Sequence, residues 1–111
     1  MPIERGEVYW VNLDPSVGGE TRKIRPGIIV SNNAANLAMN RVQVVPVTSQ
    51  IARVYRAEAI VRFRGEERKA MGDQLTTVSK ERLGKKIGVL NNEDMVRVEA
   101  AIAVQLGLNL K

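Results

Sequence analysis

Up to Leu90 the chain is a succession of short apolar, β-branched runs separated by glycine, proline and acid–amide clusters. Glu7-Val8-Tyr9-Trp10-Val11-Asn12-Leu13 predicts a strand, which Asp14-Pro15-Ser16 and Gly18-Gly19 stop. After Pro26, Gly27-Ile28-Ile29-Val30 is apolar throughout, the pattern of a buried central strand. A third strand spans Val42 to Thr48, with Pro46 marking a bulge or an edge position. Alternation returns from Ala57 to Phe63, and Arg64-Gly65-Glu66 supplies a hairpin turn. Two further strands are predicted near Gln74–Ser79 and Lys86–Leu90.

The period then changes from two to three and four. Asn91-Asn92-Glu93-Asp94 reads as an N-cap with acids in the first turn, and Met95, Val98, Ile102 and Leu106 form one apolar stripe. Gly107 is the expected stop. Asn33–Met39 predicts a second, short helix. Six short strands and a closing amphipathic helix make the fold mainly β, a small and strongly bent antiparallel sheet or barrel with appended helices. With 111 residues, no repeat and no linker, one domain over 1–111 is expected.

Composition narrows the chemistry more than the fold. The chain has no cysteine and no histidine. Thiolate chemistry, sulfur-ligated zinc and every Ser-His or Cys-His nucleophile pair are therefore excluded. Any catalysis must run on Arg, Lys, Asp, Glu, Tyr, Ser or Thr. No stretch has the roughly 18 apolar residues of a membrane span, and the first residues lack the apolar core of a signal peptide, so a soluble, cytoplasmic protein is expected.

The charge is uneven. Residues 22–86 hold fourteen basic and five acidic residues, a net +9, while the chain as a whole carries +5. Such an accumulation suits a phosphate backbone. Phosphate-binding glycine loops are absent, and no acidic cluster is spaced to hold Mg²⁺. Glu66-Glu67, in the predicted turn, reads as a solvated pair. What remains is a pattern of strand ends. Arg25 precedes the Gly27–Val30 strand and Thr48-Ser49-Gln50 closes the Val42–Thr48 strand. If those strands are antiparallel neighbours, Arg25 and Thr48 reach the same edge of the sheet. A guanidinium beside a hydroxyl matches the oxygens of a phosphate, but from spacing alone the signal is weak, because an arginine before a strand is usually a surface residue.

Several segments resemble the MazF/PemK (Kid) family of toxin endoribonucleases from bacterial toxin–antitoxin pairs. They are Arg5-Gly6-Glu7-Val8-Tyr9-Trp10 through Asp14-Pro15, Gly19-Glu20, Ile24-Arg25-Pro26-Gly27, Val44-Val45-Pro46-Val47-Thr48-Ser49, Gly72-Asp73-Gln74-Leu75-Thr76-Thr77-Val78 and the stretch from Arg82 to Gly88. The resemblance runs in order over roughly residues 4–106. It implies a small SH3-like barrel with appended helices, assembled as a homodimer. It also implies sequence-specific cleavage of single-stranded RNA without a metal or other cofactor. In that chemistry the 2′-hydroxyl attacks the adjacent phosphorus and leaves a 2′,3′-cyclic phosphate and a 5′-hydroxyl.

Carried over position by position, the catalytic pair is Arg25 and Thr48. The expected RNA-contacting set is Glu20, Arg22, Asn32, Ser49, Gln50, Arg53, Asp73 and Gln74, with Glu20 or Asp73 as acceptor of the 2′-hydroxyl proton. The first loop departs from the family: Glu20-Thr21-Arg22-Lys23 stands where Gln and Gly are frequent, which makes Arg22 and Lys23 either extra phosphate contacts or part of a plain solvated loop. The implied partner is a MazE-like antitoxin that covers the basic groove. Two other readings share these features: a non-catalytic toxin of the same fold, like the gyrase poison CcdB, and a basic nucleic-acid-binding module. Aromatics are few, and Tyr55, between Arg53 and Arg56, is the candidate for stacking on a base. Of the adjacent rings Tyr9 and Trp10, one is expected in the core.

Overall fold

The computed structural model describes residues 2–14 and 23–109. Glu20 and Arg22, two of the sequence-based candidates, lie outside the described residues. The aromatic and β-branched run forms β1 (Glu7–Asn12), followed by β2 (Ile24–Ile29), α1 (Asn33–Ala38), β3 (Arg41–Thr48), β4 (Glu58–Phe63), β5 (Glu66–Met71), β6 (Thr76–Ser79), β7 (Leu83–Val89) and α2 (Asn92–Leu106). Every pairing is antiparallel. The strands form one bent sheet in the order β4-β5-β3-β2-β1-β7, with β6 also on β3.

Alternation gives the sheet two apolar faces. Val8, Ile28, Val45, Val47, Val61, Phe63, Ala70 and Ile87 pack with Met95 and Val98 of α2. On the other face Val11, Ile29, Val42, Val44 and Val78 form a second cluster, with Tyr9 and Leu83 against it. Tyr9 is thus the inner of the two adjacent rings, and Trp10 is 40% exposed. Helix α2 begins at Asn91, whose side chain accepts from Asp94 N at 2.7 Å, and ends at Gly107 in the left-handed region. Its stripe is shorter than the spacing predicts. Met95 and Val98 are buried and Ile102 packs beside them, but Leu106 is 55% exposed.

The prolines explain how β3 serves two partners. Residues Arg41–Val44 pair with β6, whereas Val47 and Thr48 pair with β5. Gln43 turns its carbonyl to Val30 N (3.0 Å) and its N–H to Ser31 Oγ (3.1 Å), both on the β2 side. By alternation the nitrogen of Pro46 faces the opposite side, in the gap between β6 and β5, where no ladder hydrogen bond is required. The Pro26 nitrogen likewise faces β3, one residue beyond the last pair, Gly27–Pro46.

Three elements differ from the sequence pattern. Strand β2 starts at Ile24, earlier than predicted, because Ile24 and Pro26 pair with Asn12 and Trp10 of β1. Arg25 therefore sits inside a strand. Strand β5 was not predicted beyond its turn, since Glu66-Glu67-Arg68-Lys69 has no apolar alternation. Glu66 and Glu67 are on this strand, in exposed ion pairs with Arg68 (2.9 Å) and Arg62 (2.6 Å). Asp73 and Gln74 belong to a single 3₁₀ turn ahead of β6. No helix among the described residues is long and apolar enough to cross a membrane.

Candidate functional site

Arg25 stands opposite Val11 in the β1–β2 ladder, so its side chain belongs to the sheet face away from α2. The β2–β3 register pairs Gly27 with Pro46; carried two residues further, it places Arg25 level with Thr48 on that same face. The condition for the juxtaposition expected from the strand ends, that β2 and β3 be antiparallel neighbours, is therefore met, the ladder itself ending at Gly27–Pro46. Beneath the pair, Gly27 is required by space: a Cβ there would lie 2.7 Å from Val11 Cγ2.

The polar state of the pair is unusual for half-buried groups. Arg25 Nε is buried and meets no hydrogen-bond acceptor among the described residues. A buried donor left unmade costs free energy in the free protein. Thr48 Oγ1 accepts from Gln50 N at 3.2 Å. That bond fixes the oxygen while leaving the hydroxyl proton available to donate. Arg25 and Thr48 thus present two donors on one face of the sheet, and Arg25 Nε has no acceptor among the described residues.

The remaining candidates divide. Ser49 and Gln50 follow Thr48 directly and are exposed. Arg53 lies further along the same loop, its guanidinium 6.0 Å from the Tyr55 ring centroid. Exposed Asp73 and half-buried Gln74 lie in the turn Gly72–Gln74, which leads into Thr76, the partner of Val44 on β3. That turn is fixed by Gly72, whose N–H donates to Ala57 O at 2.9 Å; an added Cβ would lie 2.5 Å from the same oxygen. Asn32 is not brought to this corner. It lies beyond the opposite end of β2, where its side chain caps α1 by accepting from Ala35 N (2.8 Å). There it lines a separate cleft of about 460 Å³ with Arg5, Gln43, Leu75, Glu99 and Ile102.

Tyr9, on the same face as Arg25, is no proton carrier near neutrality. Burial and the hydrogen bond it donates to Glu7 raise its pKa to about 12. No group of three acidic side chains gathers as a metal site among the described residues.

Sequence reasoning missed Lys69 and Glu58. Lys69 pairs with Thr48 in the β3–β5 ladder and is only 9% exposed, with its Nζ 3.2 Å from Glu58 Oε1. Nothing in a run of four charged residues marks one of them as buried.

The match to known proteins decides the lineage. Residues 4–106 fit the family of PemK-like, MazF-like toxins of type II toxin–antitoxin systems. The chain belongs to that family. It is 33% identical to endoribonuclease MazF9 of Mycobacterium tuberculosis, over 96% of this chain and 98% of the relative. It is 32% identical to endoribonuclease EndoA of Bacillus subtilis, over 97% of both. Among solved structures, a mycobacterial endoribonuclease in complex with its cognate antitoxin superposes with a TM-score of 0.82 at 26% identity, covering 98% of this chain and 99% of that one. MazF from Deinococcus radiodurans shares the fold with a TM-score of 0.86 at 22% identity, covering 97% and 99% of the two chains. The bent, mainly β sheet with its C-terminal helix is thus the MazF fold.

Proposed function

We propose that this MazF-type endoribonuclease cuts single-stranded RNA by in-line attack of the substrate's own 2′-hydroxyl, at the corner formed by Arg25 and Thr48. The observation that carries this reading is the buried Nε of Arg25, without an acceptor among the described residues, on the same sheet face as a threonine hydroxyl that still has its proton to give. A reaction whose nucleophile comes from the substrate needs neither the histidine nor the cysteine that this chain lacks. The protein must align the attacking and leaving oxygens and stabilise charge on the phosphorane. Arg25 donates to the non-bridging oxygens and Thr48 adds a hydrogen bond. Arg25 also steadies the leaving 5′-oxygen, which takes its proton from solvent, so the products are a 2′,3′-cyclic phosphate and a 5′-hydroxyl, with no metal in the step.

A guanidinium stays protonated near neutrality and is a poor base. The proton acceptor is therefore assigned to a carboxylate, Asp73 in the turn beside β3 or Glu20. Arg22, Ser49, Gln50, Arg53 and Gln74 make up the contacts to the strand on either side of the cut; Asn32, at the other end of β2, contacts a more distant nucleotide. The working form is a cytoplasmic homodimer. Its partner is an acidic, MazE-like antitoxin that covers the basic corner and competes with RNA.

The test is cleavage of a long, weakly structured RNA in EDTA by the wild type and by Arg25→Ala, with cuts mapped by primer extension. Discrete cuts with 5′-hydroxyl ends that vanish in the variant are expected. Absence of cutting by the folded, antitoxin-free protein refutes the reading and favours the non-catalytic toxin. In the same assay, a rate independent of pH between about 4 and 7, with full activity in Asp73→Asn and Glu20→Gln, removes both carboxylates from proton transfer.

A further inference from the structure

The loop that follows Thr48 is exposed from Ser49 to Arg56, yet its backbone is tied down by two charged side chains. Lys69 Nζ donates to Arg53 O at 2.9 Å and lies 3.2 Å from Glu58 Oε1, and both side chains are only 11% exposed. Glu58 Oε1 also accepts from Tyr55 N (2.9 Å), and Glu58 N donates to Tyr55 O (3.0 Å). One ammonium and one carboxylate thus close the chain between Arg53 and Glu58. Taking such a pair out of water is costly, and apolar side chains commonly stabilise a fold as well. Its value lies in the geometry it imposes.

That geometry faces the site. Val47, Ala70 and Ala59 form one row across β3, β5 and β4 and point into the core against α2. The next row, Thr48, Lys69 and Ile60, points the other way, toward the face that holds Arg25. Lys69 is therefore the ladder neighbour of Thr48 and the anchor of the loop. What it anchors is an arginine–tyrosine pair. The Arg53 guanidinium lies 6.0 Å from the Tyr55 ring centroid, its Nη1 donates to Tyr55 Oη at 3.2 Å, and Tyr55 is 60% exposed. Of the other aromatics, Phe63 is in the core, Tyr9 is bonded to Glu7, and Trp10 alternates onto the opposite face. Tyr55 alone offers an open ring beside the site. A fixed aromatic next to a cationic plane is a platform for a nucleobase, and it works for any base because every base has a π face.

We propose that Lys69 is a positioning residue for single-stranded RNA: with Glu58 it holds Arg53 and Tyr55 as a stacking platform for a base flanking the phosphate at Arg25 and Thr48. The proposal rests on the nuclease reading above. Lys69 acts through the platform, so its loss weakens capture of RNA and leaves the chemical step intact.

The experiment uses the full chain and an RNA oligonucleotide bearing one cut site mapped with the wild type. In single-turnover cleavage, Lys69→Met raises the half-saturating protein concentration about tenfold, the scale of one lost base–aromatic stack, and leaves the plateau rate within about twofold. Tyr55→Leu does the same, and the double variant is no worse than Tyr55→Leu alone. A second readout uses the same oligonucleotide with a 2′-deoxy residue at the cut and 2-aminopurine beside it. The wild type quenches this fluorophore, whereas Lys69→Met and Tyr55→Leu do not. Should Lys69→Met fail to fold, Glu58→Gln keeps an oxygen for Tyr55 N, removes the ion pair and carries the same expectation. A fall in plateau rate with saturation unchanged, additive losses in the double variant, or undiminished quenching overturns the proposal. A wild type that cleaves while Tyr55→Leu is fully active overturns only this inference; a wild type that does not cleave overturns the nuclease reading itself.

Discussion

Two polar assemblies share one face of this sheet and differ in every respect that matters. At the β1–β7 end, Glu7 is 7% exposed and fully engaged: Oε1 accepts from Tyr9 Oη and from Glu4 N, each at 2.8 Å, and Oε2 lies 2.7 Å from Lys86 Nζ. At the β2–β3 end, Arg25 Nε is buried with no acceptor among the described residues, and Thr48 keeps a proton to give. The first assembly has spent its hydrogen-bonding capacity on the fold. The second withholds it. Polar groups that are buried and satisfied read as structure, and polar groups that are buried and open read as a site waiting for a ligand.

That contrast can be broken in a graded series. The largest effect belongs to Arg25→Ala, which lowers single-turnover RNA cleavage by about 10²–10³ or more. Thermal unfolding should show its stability unchanged or slightly raised, because the buried Nε loses no partner. A clear loss of melting temperature in this variant would make Arg25 a structural residue. Gly27→Ala comes next and acts on packing. With Val11 Cγ2 only 2.7 Å from the new methyl, it costs about 1–3 kcal/mol of stability by denaturant unfolding. The same shift displaces the strand that carries Arg25, so cleavage falls as well.

Glu7→Gln is the smallest perturbation and marks the opposite pole. Burial on its own raises the pKa of Glu7, but the hydrogen bond from Lys86, with help from the backbone at Glu4 and from Tyr9, holds it below the ordinary carboxylate value. A folded-state pKa lower than the unfolded one contributes stability that is complete above the ordinary carboxylate range and fades as pH falls toward the folded value. The substitution therefore costs about 1–2 kcal/mol near neutrality, and the difference from the wild type narrows below about pH 4. Cleavage is unaffected. A stability deficit independent of pH would show that Glu7 works through packing alone.

The sequence made much of this architecture legible, for identifiable reasons. Strands β1, β3 and β4 and helix α2 announce themselves because one face of each is apolar at its own period. The meeting of Arg25 and Thr48 was legible as a conditional, needing only that their strands be antiparallel neighbours. Strand β5 was hidden because its pairing with β4 and β3 is made by backbone, while Glu66, Glu67 and Arg68 lie outward or half-covered. Lys69 was hidden for a further reason. A lysine can be buried only where an acceptor and a carboxylate meet it, and Arg53 O and Glu58 are brought there by the fold. Asn32 was grouped with the corner by resemblance, whereas the direction of β2 carries it to the other end. Glu20 and Arg22 lie outside the described residues.

Pro26 and Pro46 have one more consequence. Each occupies a step of the ladder where a missing N–H is harmless, and a neighbouring step would not be so forgiving. Sliding either strand by one residue would turn its proline toward a strand that requires an N–H and reverse every side chain across the sheet, putting Ile24 or Pro26 where Arg25 stands, or Val47 or Ser49 where Thr48 stands. The two rings thus act as a checksum on assembly: a copy that pairs wrongly is penalised in energy and, by the same error, is disarmed.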